Sequence, residues 1–165
     1  FAFDSQAESQ WARILSDLAQ EDAPDGSDRV IKRIKVTEDG HTNKYSLLGK
    51  NFYPNSEVKF EYYLRGIHSS YPDFIFKDYQ DTLHLFETKS KNESSVIQLD
   101  GDEYDEKIEA LKEAYKYASI LTGYYFYIPI LSGTTWTIYR YWRGQEAILT
   151  LQQFEETILS PCPQD

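Results

Sequence analysis

Tyr71-Pro72-Asp73-Phe74-Ile75-Phe76 and Thr82-Leu83-His84-Leu85-Phe86-Glu87-Thr88-Lys89 are the two stretches that decide the fold. Each contains a run of apolar, aromatic and β-branched residues that is typical of a strand, and a short polar segment separates them. The spacing predicts an antiparallel hairpin, in which the start of the first strand lies opposite the end of the second. Asp73 would then lie beside Glu87 and Lys89, which share a face because side chains alternate along a strand.

The residues that this hairpin brings together carry the chemistry of a metal site. Carboxylate oxygens, here from Asp73 and Glu87, are the ligands that Mg²⁺ prefers, and Mn²⁺ is a suitable substitute. A bound divalent metal lowers the pKa of its water and offsets the charge that develops on phosphorus, and Lys89 would position that water. The pattern therefore predicts hydrolysis of phosphodiester bonds.

The pattern of an acid, any residue and a lysine is weak on its own, because it occurs three times in the chain. Only the middle occurrence follows a Pro-Asp pair on the second arm of a hairpin, and we therefore choose that one. A surface acid and lysine on an edge strand is the alternative interpretation. The three occurrences are Glu57-Val58-Lys59, Glu87-Thr88-Lys89 and Asp105-Glu106-Lys107.

Pro72-Asp73 followed by Glu87-Thr88-Lys89 resembles the active-site motif of the PD-(D/E)XK nucleases. Over nearly the whole chain, the sequence is similar to the C-terminal endonuclease domain of type III restriction enzyme Res subunits. The stretches that carry this similarity are Phe3-Asp4-Ser5-Gln6-Ala7-Glu8, Tyr71-Pro72-Asp73-Phe74-Ile75, Lys107-Ile108-Glu109-Ala110-Leu111-Lys112 and Tyr127-Ile128-Pro129-Ile130.

This resemblance implies an α/β, three-layer restriction-endonuclease-like fold, with a central mixed β-sheet flanked by helices. It implies Mg²⁺-dependent cleavage of double-stranded DNA, a helicase-like motor domain in the same full-length chain, and a separate modification (methyltransferase) subunit that reads the DNA. The chain itself has no phosphate-binding loop, so we expect no ATP site in this domain. We take Asp73, Glu87 and Thr88 as metal ligands, with Lys89 and Glu8 as further catalytic residues.

Two roles are open to Glu8. It lies at helical spacing from Trp11 and Leu15, so it shares the inward face of the first predicted helix. A carboxylate on an inward, apolar face is unfavourable unless it has a specific role, such as one in an active site. Ser5-Gln6-Ala7-Glu8 is also a capping box, in which the Glu8 side chain would bond back to the Ser5 backbone N–H. The sequence alone leaves both roles open.

The formal net charge of −10 is the main objection to a DNA enzyme, because DNA binding draws on Lys and Arg that displace counterions from phosphates. Much of the excess acid is local, in residues 21–28 and 100–106. We name Lys91, His68 and Arg65 as candidate DNA contacts. Other domains of a full enzyme would supply most of the affinity.

Composition bounds the remaining possibilities. The single cysteine, Cys162, excludes an internal disulfide and a thiolate metal cage. No apolar run approaches the length of a membrane span and the amino terminus is not signal-like, so we expect a soluble protein of the bacterial cytoplasm. The length of 165 residues predicts one domain, residues 1–165. The absence of Met and the start at Phe1 favour a piece of a larger helicase-nuclease polypeptide.

Periodicity predicts helices over residues 5–20, 104–121 and 150–159, with Gly123 as a C-cap of the second. Besides the hairpin strands 73–76 and 82–90, strands are predicted over residues 30–36, 44–48, 57–64, 124–131 and 136–142. Residues 124–131 are almost continuously apolar, as in a buried central strand. The polar residues 92–103 are interpreted as a connector or as a mobile loop that DNA would order.

Two other functions stay open on the sequence. The first is a catalytically silent nuclease-fold module that binds protein, which fits the acidic surface. The second is a related repair or resolvase nuclease, which the same three residues would serve equally well. The intact Asp73, Glu87 and Lys89 argue against the first, and the long resemblance favours restriction over the second.

Overall fold

The computed structural model describes residues 5–21, 30–31, 33–36, 42–44, 47–50, 59–63, 66–77, 82–91 and 98–159. The helices in this part of the chain are α1 (Gln6–Ala19), α2 (Gln98–Thr122) and α3 (Leu151–Leu159). Its strands are β1 (Gln20–Glu21), β2 (Val30–Ile31), β3 (Arg33–Val36), β4 (Thr42–Lys44), β5 (Leu47–Lys50), β6 (Phe60–Tyr63), β7 (Ile67–Ser70), β8 (Phe74–Lys77), β9 (Leu83–Phe86), β10 (Lys89–Lys91), β11 (Tyr125–Ser132), β12 (Thr135–Trp142) and β13 (Gln145–Thr150).

The largest sheet in the described ranges has the strand order β13-β12-β11-β9-β8-β5, and β10 also pairs with β11. β9 and β10 are parallel to β11, whereas the other neighbouring pairs in this sheet are antiparallel. The sheet is therefore mixed. Parallel neighbours need a long crossover, and α2 provides it between β10 and β11.

The predicted hairpin is present as the antiparallel pair β8–β9, with Phe74 opposite Phe86. β9 and β10 continue each other, because both keep the same register against β11. Residues 83–91 therefore follow one line through the sheet, close to the predicted strand 82–90. The pair Glu87-Thr88 occupies the short gap between β9 and β10.

β11 is the buried central strand that the sequence predicts, and residues 125–129 are all buried. On one face of the sheet, Tyr127 joins a cluster with Trp11 of α1 and Phe154 of α3. On the other face, Phe126 joins a cluster with Tyr115 of α2. Helices thus cover both faces of a mixed sheet. This arrangement confirms the α/β class and is compatible with three layers.

Two of the helix predictions are confirmed nearly to the residue, since α1 spans residues 6–19 and α3 spans residues 151–159. The start of α2 was predicted wrongly. The helix begins at Gln98, so residues 98–103 are helical and do not belong to a connector. Acidic residues are favoured in the first turns of a helix, because they complement its dipole, and a polar first turn therefore reads easily as a loop. Residues 92–97 lie outside the described residues.

Gly123 ends α2 as predicted. Its φ angle is +71°, in the left-handed region that glycine adopts without strain, and its N–H donates to the Ser119 carbonyl at 3.1 Å. This bond satisfies one of the carbonyls that a helix end leaves without an intrahelical partner. The chain then enters β11 directly.

The predicted strands 30–36, 44–48 and 57–64 fall on observed strands, namely β2 with β3, β4 with β5, and β6. β7 and β13 have no counterpart in the sequence prediction. Ile67–Ser70 ends in two serines, which have little strand preference. β13 is an edge strand with a largely exposed, polar start. Within the described ranges, no helix combines the length and apolar character needed to cross a bilayer.

Candidate active site

Asp73 lies at the start of β8 and is tied to the end of β9 by two hydrogen bonds. Its backbone N–H donates to the Phe86 carbonyl at 2.6 Å. Its carboxylate Oδ2 accepts a hydrogen bond from the Thr88 backbone N–H at 2.7 Å. Both bonds follow from the hairpin register, which places Phe74 opposite Phe86. The position of this acid is therefore fixed by backbone on the neighbouring strand.

Glu87 and Lys89 form an ion pair on the second arm of the hairpin. The Lys89 ammonium lies 3.1 Å from Glu87 Oε1, and the side chains are 33% and 12% exposed respectively. The Glu87 backbone N–H donates to the Tyr127 carbonyl at 3.0 Å, so the acid is anchored to the central strand. The other carboxylate oxygen, Glu87 Oε2, is buried and has no hydrogen-bond partner. This oxygen therefore lacks the hydrogen bond that a buried polar atom ordinarily has.

Glu8 reaches the same cluster from α1. The residue is only 4% exposed, and its charge contributes to the raised pKa of both Asp73 and Glu87. At the same time, the Ser5 hydroxyl accepts a hydrogen bond from the Glu8 backbone N–H at 3.1 Å, as an N-cap does. The cap therefore uses the backbone of Glu8, and the side chain lies among the acids.

Burial and mutual repulsion raise the pKa of Asp73 and of Glu87. Burial is the main cause that raises the pKa of Asp73 from 3.8 to about 8, followed by the charges of Glu87 and then Glu8. The Thr88 hydrogen bond and the Lys89 charge oppose this rise. Burial likewise raises the pKa of Glu87, against the opposing effect of Lys89 and a hydrogen bond from Ser70. Among the described residues, Lys89 is the ammonium that lowers the pKa of both Asp73 and Glu87, so ionisation of both acids would be favoured by additional positive charge.

Ser70 and Tyr115 also belong to this site, and sequence reasoning missed the first of them. Tyr115 is fully buried, and its hydroxyl lies 3.0 Å from that of Ser70. The charges of Glu87 and Asp73 contribute, after burial, to a pKa of Tyr115 well above its ordinary value. Ser70 ends β7, which was not predicted. Its position three residues before Asp73 is the only signal that the sequence offers.

No protein-family model, curated protein or solved structure matches this chain. The resemblance to the PD-(D/E)XK nucleases thus stays a prediction, and the functional argument depends on the geometry of the acids and the lysine. That geometry has two independent parts. The hairpin supplies Asp73, Glu87 and Lys89, and α1 supplies Glu8.

Thr88 was named as a metal ligand, and the structure places it between Glu87 and Lys89. Its backbone N–H is engaged by Asp73. The residue is 8% exposed, and its Oγ1 is buried with no hydrogen-bond partner. The residue therefore holds Asp73 in place through its backbone.

The three residues predicted to contact DNA differ in their exposure and in whether the structure describes them. Lys91 is exposed at the end of β10, two residues beyond Lys89. His68 is half-buried on β7, and its ring stacks on Tyr62 with the centroids 5.5 Å apart. Arg65 lies outside the described residues.

The acids fit a divalent cation that completes its coordination with other ligands. In the part of the chain that the structure describes, no group of three or more His, Cys, Asp or Glu side chains is arranged to hold a metal ion by itself. Mg²⁺ does not need such a cage, because one or two carboxylates with water and phosphate oxygens usually hold it. Asp73 and Glu87, with its buried Oε2, meet that smaller requirement.

Proposed function

We propose that this chain is a Mg²⁺-dependent DNA endonuclease domain that hydrolyses phosphodiester bonds. The observation that carries the proposal is the buried cluster of Glu8, Asp73 and Glu87, with the Lys89 ammonium 3.1 Å from Glu87. Burying three carboxyl groups beside one ammonium is unfavourable for a structural role alone, because each of them loses hydration when it is ionised. A bound divalent cation removes that penalty.

Each residue of the cluster has a role in this proposal. When bound, Mg²⁺ would supply a water of lowered pKa and offset the charge that develops on the phosphate. Asp73 and Glu87 would hold the ion, and the Thr88 N–H keeps Asp73 in one orientation. Lys89 is partly exposed, so its ammonium can reach both the attacking water and a phosphate oxygen. Glu8 would act as an auxiliary acid close to both ligands.

The finer assignment is the cleavage module of a type III restriction-modification enzyme with a restriction-endonuclease-like fold. The order of elements supports it: a first helix with an acid, a hairpin with the remaining site residues, and a second helix that crosses over to a parallel central strand. In this assignment the substrate is double-stranded DNA. The partners are a helicase-like motor in the full-length chain and a modification subunit.

Titration calorimetry with Mn²⁺ and Mg²⁺ tests the proposal without needing a motor domain. We expect binding that is lost in both Asp73→Asn and Glu87→Gln, because each change removes a charged ligand and keeps the side-chain size. Glu113→Gln, on the exposed face of α2, is the control and should bind like wild type. Circular dichroism checks that every variant is folded.

Cleavage of DNA by the full-length enzyme gives the second readout. Lys89→Met should retain metal binding but lose cleavage, since its role is to position water and offset charge. Absence of metal binding in the millimolar range, or binding that ignores both acid changes, would refute the metal-site proposal. That result would favour the interaction module, in which the acids are a silent remnant of a nuclease fold.

A further inference from the structure

A groove of about 440 Å³ lies between α2 and the strands β10, β11 and β12. We call it the α2 groove. Its lining includes two lysines, Lys91 of β10 and Lys112 of α2, two acids of α2, Asp105 and Glu109, and the side chains of Ser132 and Tyr139. The candidate active site described above does not use Lys112 or Tyr139. The groove is thus a feature separate from that site.

Lys91, which lines the α2 groove, lies on the same strand as Lys89 of the candidate active site. Glu87, Lys89 and Lys91 are two residues apart in succession, so in an extended strand they share one face, with roughly 7 Å between one and the next. Leu85, on the same face, packs in the cluster formed with α2. Ile130 pairs with Lys89 in the parallel ladder and also lines the groove. A chain of phosphates that touched Lys89 could therefore continue directly past Lys91.

Lys112 lines the groove from α2, where its ammonium contacts one acid and one aromatic ring. Its side chain is 14% exposed, and its ammonium lies 2.9 Å from Glu109 Oε1. The same ammonium sits 3.8 Å from the centre of the Tyr139 ring. The Glu109 side chain is 71% exposed, so this ion pair is at the solvent boundary. An incoming phosphate can take the place of Glu109 without leaving a buried charge unpaired.

The size of the groove limits what can enter. Its volume is that of a small-ligand pocket, which holds one or two nucleotides. A B-form duplex, whose major groove alone is about 12 Å wide, does not fit into such a space. A single strand that has left its partner is the form of DNA that this space can hold.

We propose that the α2 groove binds one unpaired DNA strand next to the phosphate that is cut, with Lys91 and Lys112 on the neighbouring phosphates. This inference rests on the proposed function and adds a substrate class to it, namely DNA with a frayed or single-stranded segment beside the cleavage position. Glu109 is then a competitor of the DNA for Lys112. Its removal should strengthen binding, whereas removal of either lysine should weaken it.

Fluorescence anisotropy in EDTA tests this inference, because it needs neither metal nor cleavage. The probes are a labelled duplex with a short single-stranded overhang and a blunt duplex of the same length. Wild type should prefer the overhang. Lys112→Gln and Lys91→Gln should each weaken binding of the overhang by about fivefold or more, close to 1 kcal/mol, and reduce the salt dependence by about one phosphate contact.

Matched controls separate the groove from general charge. Glu109→Gln and Glu113→Gln each remove one acid from α2, and only Glu109→Gln should tighten binding of the overhang beyond the effect of net charge. Lys116→Gln removes an exposed lysine of α2 outside the groove and should leave the preference for the overhang unchanged. Equal losses in all three lysine variants, or no preference for the overhang, would overturn the inference.

The two proposals fail in distinguishable ways. If the inference is wrong but the function is right, the groove variants bind the overhang like wild type, while Asp73→Asn still abolishes metal binding. If the metal site is absent but the groove binds DNA, calorimetry shows no metal binding, while Lys112→Gln still weakens binding of the overhang. Thermal unfolding of each variant excludes a general loss of structure.

Discussion

The hydroxyl groups of Ser70 and Tyr115 lie 3.0 Å apart and connect the end of β7 to the buried face of α2. Both residues are buried, at 5% and 0% exposure. Ser70 also provides a hydrogen bond that favours the charged form of Glu87. The ionisation of Glu87 is thereby coupled to a pair of hydroxyls that would otherwise be assigned to the core.

Ser70→Ala should weaken Mn²⁺ binding by raising the pKa of Glu87 further. A metal ligand must be deprotonated, so the loss should be greatest at low pH. We expect binding about three- to tenfold weaker at pH 6.5, equivalent to up to about one pKa unit, and a smaller difference at pH 8.5. Calorimetry at the two pH values measures it. A loss that is the same at both would indicate altered geometry instead.

The variant Ser70→Ala/Tyr115→Phe separates this effect from stability. Ser70→Ala removes a partner from the buried Tyr115 hydroxyl and should lower the free energy of unfolding by about 1 kcal/mol. Removing that hydroxyl as well should recover part of the loss. Mn²⁺ binding should not recover with it, because Glu87 still lacks the Ser70 bond. Recovery of both quantities together would contradict the assignment.

The raised pKa of Asp73 predicts that the metal-free protein loses stability as the pH rises. The folded state holds the proton up to about pH 8, whereas an unfolded chain releases it near 3.8. Between these values the folded state binds more protons, so the free energy of unfolding falls with increasing pH, by at most about 1.4 kcal/mol per pH unit for this group. The raised pKa of Glu87 acts in the same direction.

Urea unfolding in EDTA from pH 5 to pH 8 measures this slope. Asp73→Asn should flatten it and should be more stable than wild type at pH 8, because asparagine carries no charge to bury. Glu113→Gln, an exposed acid, should leave the slope unchanged. Parallel curves for wild type and Asp73→Asn would mean that Asp73 is ionised in the folded protein at much lower pH.

Glu8 and Ser5 allow the capping role and the site role to be measured separately. Ser5→Ala removes the hydroxyl that accepts the Glu8 N–H and should lower the free energy of unfolding by about 1 kcal/mol. It should not alter metal affinity. Glu8→Gln keeps that backbone bond but removes a charge close to Asp73, so it should stabilise the metal-free protein and weaken Mn²⁺ binding. If only Ser5→Ala affects metal affinity, Glu8 has no part in the site.

The sequence was sufficient for the hairpin and for the residues it carries. Alternation and register together determine which residues meet across two short strands, so Asp73 and Glu87 could be placed side by side before any coordinates were known. The inward position of Glu8 could also be predicted, because its helical spacing from Trp11 puts it on the buried face of α1. In each case the periodicity of one element was enough.

Features that depend on contacts between distant elements were not predictable in this way. Ser70 is 45 residues from Tyr115 in the chain, and β7 has little strand propensity, so nothing local indicates that the two hydroxyls meet. The α2 groove likewise depends on the contact between Lys112 of α2 and Tyr139 of β12, which are 27 residues apart in the chain. Local propensity also misplaced the start of α2, because acidic first turns resemble loops in composition.

Gly144 lies at a tight approach between the β12–β13 turn and α2, and the approach predicts an unequal response of two turn glycines to substitution. Gly144 has φ +77° and Gly133, in the β11–β12 turn, has φ +61°. A Cβ at Gly144 would lie 2.8 Å from Ile120 Cδ1, whereas one at Gly133 meets nothing within 4 Å. Gly133→Ala should therefore lower the free energy of unfolding only by the left-handed backbone strain, about 1–2 kcal/mol. Gly144→Ala should lower it by about 1 kcal/mol more, as in other overpacked sites.

A double-mutant cycle with Ile120→Ala identifies the source of that difference. Truncating Ile120 removes the two atoms that a Cβ at Gly144 would meet, so Gly144→Ala should then cost about as much as Gly133→Ala. The backbone strain stays in both cases, because it belongs to the turn. Urea unfolding gives the four free energies. Additive effects of Gly144→Ala and Ile120→Ala would show that the turn moves away from α2 on substitution, and that this contact does not hold the hairpin against the helix.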